Sequence, residues 1–419
     1  MVEKNEVCVV KLPGIRNFAV VYPGNILFGL DATDEDLESL MFEAYSVPIE
    51  NINEHSRNNA SLGIIVTFDC NLRCEYCYAR GGESKELISF ETAKEALNSV
   101  RESSDGDYLD LFLVGGGEPL LYFERVLEIV EYAKTLFDEV QVNVVSNGTF
   151  GNNACEWLIK NNAGVRVSFD GVRQNIQRPF ADGSGSSSIV IENIKKLIQS
   201  GVDVIVQCIV TSEGLDTLIS TVDLVSSLGV KSIKIEPALS TDVSRADLSM
   251  EPDPIKFSRA MIEVIKHIAD KGYKITLDTG FLSEPSNEFY CGMPNGNKVL
   301  TPHGLITSCV EVARPNDPYA DIFIYGKVEN GLVFDLNKKK KLEDIHFVNQ
   351  LGGCSNCNLR MICHGGCPMA SIWKNGFPLK KSNFTCVVQH TLIPELLLLI
   401  ATDDRIAPIV IDEVDIDRF

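Results

Sequence analysis

Ile64-Ile65-Val66-Thr67-Phe68-Asp69 runs directly into Cys70-Asn71-Leu72-Arg73-Cys74-Glu75-Tyr76-Cys77. An apolar, β-branched run that ends in a polar, cysteine-bearing segment reads as a buried strand, here 64–68, followed by a loop at its C-terminal end. Five more short β-rich runs follow, at 109–114, 140–145, 165–169, 204–210 and 232–235. Amphipathic stretches at 90–101, 124–137, 189–199, 215–228 and 254–269 lie between and after them. Most of the runs lack strict alternation, as expected when helices cover a parallel sheet. Six such units in succession imply an α/β fold, a partial (β/α)6 TIM-like barrel short of the eight units that close a full one. The open side of such a barrel would admit a large substrate.

The rest of the chain bounds what this architecture serves. At 419 residues there is room for two or three domains of roughly 150 residues each. A hydrophobic share of 45% and a charged share of 23% fit an ordinary globular protein. The net charge of −20 argues against a nucleic-acid partner, which needs clustered Lys and Arg. The one dense basic run, 338–341, sits beside turn-prone Asp335 and Asn337 and reads as a solvated face. No secretory signal opens the sequence, and the most apolar late stretch, 392–401, carries Pro394 and Glu395 and is about half the length a bilayer requires. The expectation is a cytoplasmic protein without a membrane partner. Thirteen cysteines in a reducing compartment read as metal ligands rather than disulfides.

Four segments are expected. Residues 1–60 form a small N-terminal domain with strands at 7–11 and 17–22, a short run at 26–28, and a helix opening at Thr33, whose first turn holds Asp34, Glu35 and Asp36. Residues 61–285 hold the partial barrel. Residues 286–390 are loop-like, rich in Gly, Pro and Asn, and dotted with cysteine. Residues 391–419 form a tail.

Cys70, Cys74 and Cys77 supply three thiolates from one loop, one fewer than the four that saturate a cubane, which leaves one iron able to bind a ligand. A structural zinc would want four ligands, and no fourth Cys or His is near in sequence. The loop follows a strand's C-terminal end, where barrel active sites form. Downstream come Cys291, Gly304-x4-Cys309, Cys354-x2-Cys357-x5-Cys363-x3-Cys367 and Cys386. A zinc ribbon built from the two close pairs would leave three of these cysteines unused. Cys8 and Cys208 sit in apolar runs and read as small buried hydrophobes, and Cys155, near a helix start, as structural.

The first cysteine spacing, with Tyr76 just before the third Cys, resembles the signature of the radical S-adenosylmethionine superfamily. Gly115-Gly116-Gly117-Glu118-Pro119 looks like that family's GGEP motif, Ser146-Asn147-Gly148 like its ribose-contacting turn, and Ser168-Phe169-Asp170-Gly171 like another of its turns. The resemblance implies a [4Fe–4S] cluster on Cys70, Cys74 and Cys77 that binds S-adenosylmethionine and cleaves it to a 5′-deoxyadenosyl radical. The cofactor contacts it implies are Tyr76, Gly116, Gly117, Glu118, Ser146, Asn147, Ser168 and Asp170.

The second group resembles the seven-cysteine SPASM domain. By that resemblance Cys354, Cys357, Cys363 and Cys386 ligate an outer auxiliary [4Fe–4S] cluster, and Cys291, Cys309 and Cys367 an inner one, giving three clusters in all. No cysteine lies between 292 and 308, so the inner cluster has three identified thiolates; its fourth site is open, taken by a substrate thiolate, or filled by another residue such as His303 or Glu311.

The nearest resemblance is to peptide maturases that install thioether or carbon–carbon crosslinks, with Arg178-Pro179-Phe180 and Gly183-Ser184-Gly185-Ser186 matching their segment after the fourth strand. It implies a ribosomally made precursor peptide as partner and a low-potential ferredoxin or flavodoxin as electron donor. Residues 1–60 would grip a leader peptide, or else cap the barrel. The alternative is a side-chain dehydrogenase of the anaerobic sulfatase-maturating type. Its base is an Asp just after the second SPASM cysteine. Here Val310 and Glu311 follow Cys309, and Glu311 is the candidate catalytic residue.

Overall fold

The computed structural model describes residues 7–22, 25–46, 60–241, 244–278, 290–291, 298–346, 348, 351–376 and 380–410. The chain begins with β1 (Cys8–Lys11), β2 (Phe18–Tyr22), β3 (Asn25–Gly29) and α1 (Asp34–Ser46). The parallel region runs β4 (Ala60–Ile64), α2 (Phe90–Glu102), β5 (Tyr108–Leu113), α3 (Phe123–Leu136), β6 (Glu139–Ser146), α4 (Asn152–Lys160), β7 (Gly164–Ser168), α5 (Gln174–Gln177), α6 (Ser187–Gln199), β8 (Val204–Val210), α7 (Leu218–Ser227) and β9 (Ser232–Pro237). Then follow α8 (Pro254–Lys271), β10 (Thr276–Asp278), β11 (Val299–Leu300), β12 (Leu305–Thr307), α9 (Ala320–Phe323), β13 (Ile324–Val328), β14 (Leu332–Phe334) and α10 (Leu336–His346). The last elements are α11 (Arg360–Cys363), α12 (Pro368–Asn375), α13 (Asn383–Thr402) and α14 (Ala407–Val410).

Contacts group these elements into two compact units. One takes Ser56–Glu251 with Gly292–Glu343, the other Met1–His55 with Pro252–Cys291 and Asp344–Phe419. The grouping interleaves stretches of chain rather than following four consecutive segments.

In the first unit β4 to β9 pair in chain order, each parallel to the next. The helices cover them through stripes at helical spacing, such as Ala93, Ala96, Leu97 and Val100 of α2 and Val190, Ile194 and Leu197 of α6. β4 ends four residues earlier than the sequence suggests. Residues 65–68 leave the strand for other partners: Ile65 donates to the Leu300 carbonyl, Phe68 to that of Glu86, and Val66 accepts from Ile88.

The far side of β4 is occupied. β11 pairs with it in parallel, Val299 opposite Gly63 and Leu300 opposite Ile64, and β12, β13 and β14 extend the sheet in antiparallel order. A stretch expected to be loop-like thus supplies four strands of two to five residues, too short to show a pattern in sequence. Gly63 permits the pairing, since a Cβ there would lie 3.1 Å from Val299 Cγ2 and 3.5 Å from the Lys298 carbonyl oxygen.

In the other unit β1, β2 and β3 form an antiparallel sheet. Thr33 caps α1 as expected: its hydroxyl accepts from the Asp36 amide at 3.2 Å, and the Asp36 carboxylate accepts from the Thr33 amide at 2.8 Å. Cys8, Val10, Ala19 and Val21 of this sheet pack with Leu359, Ile362, Ile393 and Leu397, so the N-terminal sheet shares a core with the C-terminal helices. Residues 1–6, 23–24 and 47–59, part of the segment read as a leader-binding domain, lie outside the described residues.

The apolar stretch read as half a bilayer's thickness belongs to the 20-residue α13, long and apolar enough to cross a membrane. Here it packs on α8, with Phe384 against Phe257 at 6.4 Å between rings and Ser258 Oγ donating to the Val388 carbonyl at 3.4 Å. Val388, Leu392, Ile393, Leu396 and Leu397 are buried.

Gly63→Val should push β11 off β4. Hydrogen exchange should then show lost protection at the Ile65 amide, which donates to the Leu300 carbonyl at 2.9 Å. Unchanged protection there would refute this account of the pairing.

Candidate functional site

The loop 69–77 is held on two sides by backbone. On one side the Gly117 amide donates to the Thr67 carbonyl at 2.7 Å and the Glu118 amide to that of Asp69 at 2.8 Å. A Cβ on Gly117 would stand 1.9 Å from the Asp69 carbonyl oxygen, and one on Gly116, where φ is +70°, 2.7 Å from that of Thr67. These glycines are therefore required by the approach of the second strand's turn to the cysteine loop. On the other side 177–181 runs antiparallel to 71–75. The Arg73 amide donates to the Pro179 carbonyl at 2.8 Å, Glu75 to Gln177 at 3.0 Å, and Ala181 to Asn71 at 3.0 Å. Arg73 closes the loop from within, its guanidinium donating to the carbonyls of Cys70 at 2.7 Å, Leu72 at 2.9 Å and Gly82 at 3.2 Å.

Held this way, Cys70, Cys74 and Cys77 are half-buried; Cys77 lies close enough to disfavour ionisation of the other two, and Cys70 that of Cys74. Burial, then the nearby Glu118, pushes the Cys70 thiol up to about 11. Burial pushes Cys74 up to about 12 against the opposing pull of Arg178. Two donors face the sulfurs: the Gly81 amide is 3.3 Å from Cys77 Sγ, and Asn147 Nδ2 is 3.6 Å from Cys70 Sγ. Among the described residues no three Cys, His, Asp or Glu side chains share a single-ion position. Three neighbouring thiols, two of them with an N–H donor on the sulfur, fit the donor set of an iron–sulfur cubane with one iron left open.

The residues expected to bind the small-molecule cofactor line the same loop. Glu118 is buried; its Oε1 accepts from Leu120 N at 3.0 Å and Ser146 Oγ at 2.9 Å, and its Oε2 from Asn147 N at 2.6 Å. It thereby fixes the Ser146-Asn147 turn, and burial pushes its carboxyl up to about 7. Asn147 in turn bonds Asn71 Oδ1 at 2.9 Å, and its own Oδ1 accepts from Thr149. Asp170 is buried beneath the loop, accepting from the Tyr76 hydroxyl, Gln177 Nε2, Arg178 Nε at 3.0 Å and the Ile209 amide. The Arg178 guanidinium lies 5.2 Å from the Tyr76 ring centre. Ser168 is half-buried at the end of β7. Sequence reasoning missed Asn71, Arg73, Thr149 and Gln177, because side chains that hold a loop carry no motif of their own.

Of the second cysteine group, Cys354, Cys357, Cys363 and Cys386 come together. Cys354 and Cys363 are both raised by burial and then by neighbouring thiols of the set, Cys363 to about 12. The turn that presents Cys363 is left-handed at three successive residues, His364, Gly365 and Gly366. A Cβ on Gly366 would stand 2.5 Å from Thr385 Cγ2, beside Cys386. Cys291 is exposed and Cys367 half-buried in the same unit, while the half-buried Cys309 belongs to the other. Burial raises the phenol of the half-buried Tyr78, and Cys77, Glu311 and Cys309 add to the rise. His303 pairs with Glu86 at 3.3 Å and leans on the Phe68 ring.

Gly117→Ala should displace the cysteine loop and remove about four irons per chain after anaerobic reconstitution; full iron content would refute the close-approach argument. Glu118 carries a pH signature. With its carboxyl raised from 4.5 to about 7, its contribution to stability is complete below 4.5 and lost as pH rises through 7. Subtracting the stability–pH curve of Glu118→Gln should isolate that fall, and a flat difference would show that the carboxyl is not desolvated.

Residues 64–225 match the Radical SAM superfamily. The chain is 22% identical to the serine-type anaerobic sulfatase-maturating enzyme of Klebsiella aerogenes over 323 residues, 71% of this chain and 77% of that one. It is 27% identical to the sporulation killing factor maturation protein SkfB of Bacillus subtilis over 168 residues, 39% of each. Among solved structures, native anSMEcpe with bound AdoMet and Kp18Cys peptide has the same fold, with a TM-score of 0.71 at 18% identity over 83% of this chain and 100% of that one. The cysteine loop strapped to a GGEP turn thus sits within the domain, residues 64–225, that matches the Radical SAM superfamily, and the similarity to the sulfatase-maturating enzyme and to SkfB supports a radical SAM enzyme of the SPASM type.

Proposed function

We propose that this enzyme is a peptide maturase that forms an oxidative crosslink within a ribosomally made peptide, a thioether for preference and a carbon–carbon bond as the variant. The observation that carries the reading is the neighbourhood of Tyr78, on which Cys77 of the first loop, Cys309 and Glu311 all bear. Forming a C–S bond from C–H and S–H releases a hydrogen atom, a proton and an electron. In this reading Glu311 would take the proton. Cys70, Cys74 and Cys77 would hold the first cluster, with S-adenosylmethionine at the open iron. Cys354, Cys357, Cys363 and Cys386 would hold an outer cluster, and Cys291, Cys309 and Cys367 an inner one. When bound, these groups supply the 5′-deoxyadenosyl radical and an acceptor for the electron. The precursor peptide, a low-potential ferredoxin or flavodoxin, and a reducing cytoplasmic setting complete the proposal.

A second reading, oxidation of a single side chain to an aldehyde, is favoured by how much of the chain the sulfatase-maturating relative covers. The residue after Cys309 is Val310, with a carboxylate only at Glu311, which favours crosslinking.

Co-expression with a short, cysteine-bearing peptide separates the two. A crosslink lowers the peptide mass by about 2 units per bond, the loss of two hydrogens in one radical cycle, and leaves the cysteine unreactive to alkylation. An aldehyde instead gives a product that reacts with hydrazine. An aldehyde, or no change of mass with the cognate peptide, would overturn the crosslinking reading. Glu311→Gln should lower turnover at least about tenfold, as expected for loss of a general base, while cleavage of S-adenosylmethionine continues.

A further inference from the structure

One stripe of α13 carries Cys386, Gln389, His390, Ile393 and Leu397, spaced to share a single helix face. Ile393 and Leu397 seat that stripe against Leu359, Ile362 and the half-buried Cys357 and Cys363. Two polar side chains on it have no part in the reaction described above. His390 is exposed, and its Nε2 stands 3.7 Å from Cys357 Sγ, a sulfur that also faces the Leu359 amide at 3.5 Å. Gln389 is 1% exposed, and both its amide nitrogen and its amide oxygen lack a hydrogen-bond partner. A fully buried amide with neither atom paired is uncommon in folded proteins and points to a group that would complete it. It lies one helical turn from Cys386, whose thiol bears on those of Cys354 and Cys363.

We propose that Gln389 and His390 are hydrogen-bond donors to the iron–sulfur group held by Cys354, Cys357, Cys363 and Cys386, and that they set its reduction potential. A metal-bound thiolate only accepts hydrogen bonds, so Cys357 selects the tautomer of His390 that carries the proton on Nε2. The Gln389 amide N–H, which no protein acceptor takes up, would donate to a sulfide of the same group. Neither residue is a ligand, because four thiolates saturate a cubane. Donors to sulfur stabilise the more negative, reduced form, so both side chains raise the potential. The inference rests on reading the four cysteines as a cluster site, and it holds whichever bond the enzyme forms.

The test is an EPR-monitored redox titration of the anaerobically reconstituted full-length enzyme, with iron and sulfide assayed on the same samples. His390→Phe and Gln389→Leu should each keep full iron and sulfide and move one midpoint potential to a more negative value. His390→Gln, which keeps a donor, should restore most of the shift. The exposed position of His390 keeps the test informative if Gln389→Leu does not fold. Unchanged potentials in His390→Phe would overturn the proposal. So would loss of about four irons from that variant, which would make His390 a ligand. Full iron in a Cys354→Ala, Cys357→Ala double variant would instead remove the premise, and so is read apart from the potentials.

Discussion

Two backbone atoms set the terms for the candidate site. The Cα of Gly117 lies so close to the Asp69 carbonyl that a single added carbon would stand 1.9 Å from that oxygen. Through this contact the turn after β5 docks on the loop after β4, and everything else follows in order. With Gly117 seated, the adjacent Glu118 is carried into the interior, where it meets Ser146 Oγ and the Asn147 amide from the end of β6. With Asn147 fixed, its side chain reaches Cys70 Sγ and Asn71. Three successive strand ends are thus locked by one chain of contacts that starts at a glycine. The glycines do not merely leave room for a ligand; they let two loops of the protein touch.

Electrostatics adds a second constraint. Asp170 and Arg178 form a buried ion pair, with side chains 1% and 7% exposed, directly under the cysteine loop. Such a pair is stabilising only if the remaining hydrogen-bonding capacity is met. Here Tyr76, Gln177 and the Ile209 amide meet it on the Asp170 side. The pair adds no net charge, and its two ends act oppositely on the Cys74 thiol, which burial raises strongly: Arg178 draws it down and Asp170 adds to the rise. Thiols held this far above neutrality must lose their protons when a metal binds, so loading of the site is coupled to proton release.

Much of this was legible in the sequence, and the boundary is physical. The parallel strands and their helices announce themselves because a sheet covered by helices needs apolar runs in the strands and apolar stripes on the helices. The 204–210 strand coincides with β8, and the helix read at 254–269 gains only two residues. The motifs at 70–77, 115–119, 146–148 and 168–171 all fall on one site because each follows a strand at the same end of the sheet. What did not show were contacts made by backbone and by solitary polar side chains. β11 to β14 are too short for a pattern, and Arg73 looks like any spacer between cysteines. His364-Gly365-Gly366 has no period at all, yet its left-handed run delivers Cys363 to the start of α13.

The two described sets of thiols are built on opposite principles. Around Cys70, Cys74 and Cys77 the protein uses straps: paired backbone on both edges of a loop, with side chains as ties. Around Cys354, Cys357, Cys363 and Cys386 it uses a helix, with Cys386 in the first turn of α13 and Cys357 and Cys363 packed against the same helix. A strapped loop can yield on its open face to admit a small molecule while its carbonyls stay paired. A helix face fixes side chains at set spacings and leaves little freedom, which suits a group whose ligands are complete and whose surroundings need only be tuned. Under the proposed function the difference in construction matches a difference in work: the first set would bind and react, and the second would hold still.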